Sequence, residues 1–258
     1  MSSAKSSTPG SGRALSVLIV STLAFTVCFM VWMMFGVIGI PIKKQLGLNA
    51  TEFGLLTATP VLTGSLIRVP LGIWTDRFGG RIVLFVLMLA CVVPIYAMQF
   101  ATQYWHFLAI GLFVGLAGGA FSVGTPYVAR WFRKDQQGMA MGVFGAGNAG
   151  SSLTKLVAPG IIAAAGWQMV PTVYAAIMLV TAILFWVFSH HDPKHLVSSK
   201  ASLAQQLALM KNPAVLRYCQ YYSVVFGGYV ALALWMTKYR SEEHTSELQS
   251  RLHLVCRL

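Results

Sequence analysis

Acidic side chains are scarce in this chain: seven Asp and Glu occur in 258 residues, and none falls in the middle of an apolar stretch. Charged residues of both signs make up 10% of the sequence, where an ordinary soluble domain carries about 25%. That shortage excludes a disordered polyelectrolyte and a conventional water-exposed surface. Cysteine is scarce too. Of four residues, Cys28, Cys91 and Cys219 lie inside apolar stretches, so neither a disulfide framework nor a C-x-x-C metal site can be assembled, and they read as buried apolar thiols. What is plentiful is apolar: 56% of the residues, with 15 Phe, 12 Met and 24 Gly. Mean hydropathy is +0.67. The composition is that of an all-α integral membrane protein.

The formal net charge is +12, from 19 basic and 7 acidic residues. In a soluble protein this balance would point to nucleic acid. Here the basic residues sit mostly in short gaps between apolar blocks, where they set membrane orientation. A spanning helix needs about 20 apolar residues, and seven blocks qualify: Ala14 to Ile40, Phe53 to Trp74, Ile82 to Phe100, His106 to Val128, Met139 to Ala165, Met169 to Ser189, and Tyr218 to Thr237. Trp74, Trp105, Trp131 and Trp167 mark block edges, as interfacial anchors do. Alternate gaps carry eleven Lys and Arg on one side, among them Arg13, Arg77, Arg81, Arg130 and Arg133, against Lys43 and Lys44 on the other. That bias predicts a cytoplasmic N-terminus and a multi-pass protein of the inner (plasma) membrane.

The organisation expected is a tail over 1–13, six spanning helices over 14–189, a cytoplasmic linker over 190–217 and a seventh helix over 218–239. Leu203, Leu207 and Met210 in the linker are spaced for a short surface helix or belong to a solvated connection. Residues 240–258 break abruptly in composition and carry three of the seven acids. Their run Arg240-Ser-Glu-Glu-His-Thr-Ser-Glu-Leu-Gln-Ser250 resembles a translated sequencing adapter, which is excluded from fold reasoning.

Two cations stand inside apolar blocks. Arg68 lies eight residues before Asp76, about 12 Å along a helix, near the middle of a hydrocarbon layer ~30 Å thick. Arginine at that depth costs at least ~2.5 kcal/mol on insertion scales, so it should face a cavity or a partner, the alternative being a side chain that snorkels to the interface. Gly64, Ser65 and Gly72 give it a small, polar face. Lys155 shares a helical face with Asn148, Ser151 and Ser152 at i, i+3, i+4 and i+7, in a block rich in glycine: Gly138, Gly142, Gly145, Gly147 and Gly150. Such glycines let a second backbone approach closely. Gly145, Gly147 and Gly150 also match G-x-G-x-x-G, but no strand precedes them and the block is apolar, so a dinucleotide site is excluded.

Fixed cations without a nearby carboxylate imply an anionic substrate. A single positive charge offers an anion about 4 kcal/mol at 4 Å and an effective dielectric near 20. The planar guanidinium fork favours a flat oxyanion such as nitrate, nitrite or a carboxylate. His190, His191 and His195 lie in the linker and His106 at an interface, so no axial pair for a haem is present in a block, and neither cofactor nor enzymatic chemistry is implied.

Three segments carry a resemblance. Gly72-Ile-Trp-Thr-Asp76-Arg77-Phe-Gly79-Gly80-Arg81 is similar to the loop between the second and third helices of the major facilitator superfamily. Gly145-Ala-Gly147-Asn148-Ala-Gly150, continuing to Lys155 and Pro159, resembles the signature of its nitrate/nitrite porter branch, and Thr63 to Gly72 resembles that branch's second helix. The resemblance covers about residues 14 to 239 and implies nitrate uptake or nitrate/nitrite exchange by alternating access. It implies that Arg68 holds the anion and Asn148 shapes the site, with Phe121 stacked on the anion and Tyr222 touching it from the seventh helix. Both aromatics have an alternative as packing residues. Asp76, Arg77 and Arg81, with Gly72 and Gly80, would act in gating, the alternative being a positive-inside turn. Lys155, the central titratable group, would couple a proton. A full member has at least twelve helices, so the expectation is the N-terminal six-helix bundle plus a seventh helix, partnered by a missing C-terminal half.

Overall fold

The computed structural model describes residues 11–191 and 211–255. Two compact units divide the chain, Met1–Ser199 and Lys200–Leu258. In the first, α1 (Ser11–Trp32) and α2 (Phe35–Leu46) form one rod, as do α3 (Ala50–Leu66) and α4 (Arg68–Phe78). Next come α5 (Gly80–Ala97), α6 (Tyr104–Val114) with α7 (Ala120–Ala129), α8 (Gln137–Gly145) with α9 (Gly150–Ala165), and α10 (Met169–Phe188). Three of these joints are short 3₁₀ segments: Met98–Phe100, Gly115–Gly119 and Ala146–Ala149. The second unit contains α11 (Pro213–Val255).

Among the described residues, five helical stretches are long and apolar enough to cross a membrane: Gly12–Leu46, Ala50–Phe78, Gly80–Phe100, Tyr104–Ala129 and Met169–Phe188. They overlie the first four expected blocks and the sixth. The fifth block forms a helical rod of membrane length, α8 with α9, but its glycines, Asn148, the serines and Lys155 dilute its apolarity. In the seventh, Tyr218, Tyr221, Tyr222, Tyr229 and Gln220 do the same within α11. That helix runs on past the expected end at 239 to Val255, because no glycine or proline follows Gly228 and the sequence is rich in good helix formers. The linker pattern of Leu203, Leu207 and Met210, with His195, falls outside the described residues.

Helix α1 forms the centre of the first unit, packed against α7, α8, α9 and α10. Val27 to Phe35 are buried without interruption, the pattern of a helix apolar all round. At its end the backbone tightens: the Met34 amide donates to Val31 O at 3.2 Å. The Met30 carbonyl takes a hydrogen bond from the Thr154 hydroxyl of α9 instead, at 2.9 Å, in a buried setting. A carbonyl left unpaired at such depth would be costly.

The rods are joined by turns with local causes. Gly47 closes α2 at φ 66, a conformation that favours glycine. Asn49 then caps α3 reciprocally with Glu52, each side chain accepting the other's amide at 2.9 Å. Pro70 has no amide to offer the Leu66 carbonyl, and α3 ends at Leu66.

Two expectations need correction. Trp74 and Trp105 are exposed, as interfacial anchors should be, but Trp131 and Trp167 are buried. Trp167 points inward because its indole nitrogen donates to Gln45 Oε1 at 2.9 Å. Cys28 and Cys91 are buried free thiols, whereas Cys219 is exposed on α11.

Candidate functional site

Phe25, Phe29 and Trp32 recur at i, i+4 and i+7 on α1 and so share one face. Their rings touch in sequence, Phe25 to Phe29 at 5.7 Å and Phe29 to Trp32 at 5.3 Å between centroids, both edge-to-face. Phe25 continues the ladder into the later rods, stacking on Phe144 at 4.9 Å and meeting Phe121 at 5.6 Å. Phe121 and Phe144 lie 6.0 Å apart. At the other end, the Arg68 guanidinium sits over the Trp32 ring, 5.7 Å from its centroid, within cation–π range.

Glycines make this closeness possible, but not all of those expected. A Cβ at Gly64 would lie 2.6 Å from Trp32 Nε1 and 2.8 Å from the Gly115 carbonyl, and one at Gly118 would lie 2.6 Å from the indole ring. Gly147 abuts the Phe25 ring, and Gly150 abuts the backbone of Thr26 and Met30. Gly138, Gly142, Gly145 and Gly72, by contrast, have nothing within 4 Å of a Cβ. Close approach therefore belongs to the α1-facing glycines of the block alone.

The polar stripe is divided in the same way. Asn148 lies in the 3₁₀ segment, half-buried, with its amide donating to Gly145 O at 2.8 Å. Ser151 is buried and donates to Asn148 O at 3.2 Å. Ser152 is exposed and Lys155 half-buried on α9. The tighter 3₁₀ winding shifts Asn148 relative to α9, and Thr154 turns toward α1. Phe121, Gly147 and Phe25 form one cluster, with Asn148 next in sequence. Arg68, Trp32, Gly64 and Gly118 form a second, and Phe29 bridges them. Tyr222 lies in the other unit, where its ring stacks on Phe226 at 5.2 Å.

The loop motif has explicit partners. Arg130 Nη2 and Asp76 Oδ1 pair at 2.6 Å, tying α4 to the end of α7. Arg81 donates to Ser189 Oγ at 3.1 Å and to the Trp186 carbonyl at 2.7 Å, with its guanidinium 4.4 Å over the Trp186 ring. This clamps the start of α5 to the end of α10. Arg77 is exposed, over Phe78 at 5.6 Å. Gly79 turns at φ 86, and Gly80 packs flush against Tyr127. Arg130, counted in the sequence only as an orientation charge, is thus part of the motif's geometry.

Sequence reasoning also missed the α1 aromatics. The signal was present in their i, i+4, i+7 spacing, but any apolar block contains such triplets. An apolar cavity of about 330 Å³, walled by Leu71, Trp74, Phe78, Val86, Ala90 and Leu116 among others, offers an anion no polar contact. The aromatic-lined arginine is the feature with chemistry: a half-buried cation with a planar donor fork.

Apolar rods long enough to span a membrane, one of them carrying Arg68, and a buried central helix define a polytopic α-helical membrane protein. The sequence matches the family model of the Major Facilitator Superfamily over residues 20–253, and the chain belongs to that superfamily. A Thermus thermophilus protein named as a probable nitrate/nitrite antiporter is 40% identical over 237 residues, covering 87% of this chain and 53% of that protein. The nitrite extrusion protein of Bacillus subtilis is 31% identical, over 87% of this chain and 56% of that one. The chain spans about half the length of these curated relatives. Its fold is similar to the inward-facing, unoccupied crystal structure of a bacterial homologue of the human lysosomal transporter Spinster. There the TM-score is 0.70 at 16% identity, covering 90% of this chain and 56% of that one.

Proposed function

We propose that this chain is the N-terminal part of a secondary transporter that moves nitrate or nitrite across the cytoplasmic membrane by alternating access. The observation that carries the reading is Arg68, a half-buried cation over the Trp32 ring in a spanning rod, with no acid in the middle of any block. The names of the relatives support the choice of anion. Arg68 would hold the oxyanion by its fork. Asn148, with Gly145, Gly147 and Gly150, would shape the wall beside it, and Phe121 would contribute an aromatic contact. The Asp76–Arg130 pair and the Arg81 clamp, with Gly72, Arg77 and Gly80, would govern how the rods separate on the cytoplasmic side. A C-terminal half, the partner of residues 14–239, would complete the path. The N-terminus is assigned to the cytoplasm on the charge bias.

The test is transport by the complete gene product, reconstituted in liposomes and assayed with nitrate and nitrite. Arg68→Lys keeps the charge and removes the fork, and uptake of either anion is expected to fall by about tenfold or more, the value of one or two charge-assisted hydrogen bonds. Unchanged uptake would remove the assignment. Exchange of nitrate for nitrite is the mode supported by the name of the 40% identical relative. Proton symport is the second reading, supported by Lys155, half-buried on α9. Lys155→Gln is expected to abolish sensitivity to a proton gradient under symport and to leave exchange intact otherwise.

A further inference from the structure

The anion site needs its cation held still, and the residue that does this is not in any of the three motifs. We infer that Trp32 is the positioning residue of Arg68, an inference that rests on the anion-binding role proposed above. Three observations converge on its indole. Its Nε1 donates to the Pro60 carbonyl at 2.9 Å, in a buried setting, which fixes the ring's rotation. Gly64 of α3 and Gly118 of the 3₁₀ segment flank it so closely that a methyl at either position would lie 2.6 Å from indole atoms. The Arg68 guanidinium then lies over the ring. Trp32 itself is 1% exposed.

Each observation restricts a different freedom. The hydrogen bond and the two glycines leave the indole one orientation, and the indole offers the guanidinium one face. The ring attracts the guanidinium through its π face, which leaves the N–H donors, all in the guanidinium plane, available to a ligand. A cation placed 5.7 Å from the centroid of a ring that cannot turn is itself kept in place, and its fork stays where a flat oxyanion can take a bidentate pair. A lysine would offer the same charge without the fork, and an arginine without the indole beside it would offer the fork without a fixed position. Trp32 touches the cation and not the anion, so its removal should weaken binding and leave the conformational cycle in place.

The closing experiment is the concentration dependence of nitrate uptake by the complete gene product in liposomes, comparing wild type with Trp32→Leu, Trp32→Phe and Gly118→Ala. Trp32→Leu is expected to raise KM about tenfold with the maximal rate per folded protein retained, tenfold being about 1.4 kcal/mol, between the values of an exposed and a desolvated cation–π contact. Trp32→Phe restores a ring face without the Nε1–H and should recover part of the loss. Gly118→Ala, which pushes the indole from its seat, should raise KM in the same direction. KM does not depend on how much protein folds, so poor expression leaves the readout intact. Wild-type protein that takes up neither nitrate nor nitrite refutes the transport reading and this inference together. Saturable wild-type uptake with KM unchanged in Trp32→Leu overturns the inference alone.

Discussion

Gly145 and Gly150 stand five residues apart in one motif, yet alanine at the two positions should move stability in opposite directions. Gly150 faces the backbone of α1: a methyl there would press on the Thr26 carbonyl and lie 2.9 Å from the Met30 amide. Neither atom can rotate aside, because both belong to a buried helix that Thr154 also ties to α9. Overpacking of this kind costs about 1–3 kcal/mol, and backbone obstruction places the cost at the upper end. Alanine returns about 1 kcal/mol of helix propensity at either site, so Gly150→Ala should lose about 2 kcal/mol. Gly145 has nothing within 4 Å of a Cβ, so Gly145→Ala should keep the whole gain of about 1 kcal/mol. Thermal unfolding of the purified chain in detergent, followed by the loss of monodisperse protein on heating, reads both. For a domain of this size 1 kcal/mol corresponds to about 2–4 °C. The melting temperature should fall by several degrees in Gly150→Ala and rise by a few in Gly145→Ala. Shifts of the same sign in both would refute the packing of α9 on α1.

Three further perturbations test other joints. Asp76→Asn removes the 2.6 Å pair with Arg130, whose side chains are 43% and 27% exposed. Solvent screening keeps the expected loss within about 1 kcal/mol, and a collapse of the fold on this change would contradict the pairing described. Thr154→Val keeps shape and deletes the hydroxyl that serves the Met30 carbonyl. The expected cost is about 1–3 kcal/mol, seen as a lower melting temperature. Asn49→Ala dissolves the reciprocal cap of α3 and should cost about 1 kcal/mol, whereas Asn49→Asp should lose little. Equal losses from both substitutions would show that the side-chain cap is not what holds that turn.

The helical blocks were legible because lipid imposes a length and a composition, and the gaps because charge is expelled to them. Depth of burial within a block was less legible. Trp131 and Trp167 occupy block edges just as Trp74 and Trp105 do, but the first two are buried and the second two exposed. Apolarity cannot distinguish them, since a membrane helix is apolar toward lipid and toward its neighbours alike. What turns Trp167 inward is a partner 122 residues away, Gln45, and no local pattern announces it.

The site shows the same division between what a residue costs and what it touches. Arg68 could be singled out from sequence because an arginine in a hydrocarbon layer demands a reason. Trp32, Phe25 and Phe29 demand none, so the rings beside that arginine were invisible although their spacing was on the page. The glycines fall between these extremes: five between residues 138 and 150 announce close packing, yet only Gly147 and Gly150 meet α1, while Gly138, Gly142 and Gly145 face open space. Their spacing gives the reason. A helix that packs on one neighbour presents about a third of its circumference to it, so glycines spread over 13 residues and interrupted by a 3₁₀ segment cannot all lie on that arc. The two that do lie within the 3₁₀ segment and directly after it. The 3₁₀ segment, which no residue in the motif individually requires, therefore decides which glycines become contacts and sets Asn148 at the edge of that contact.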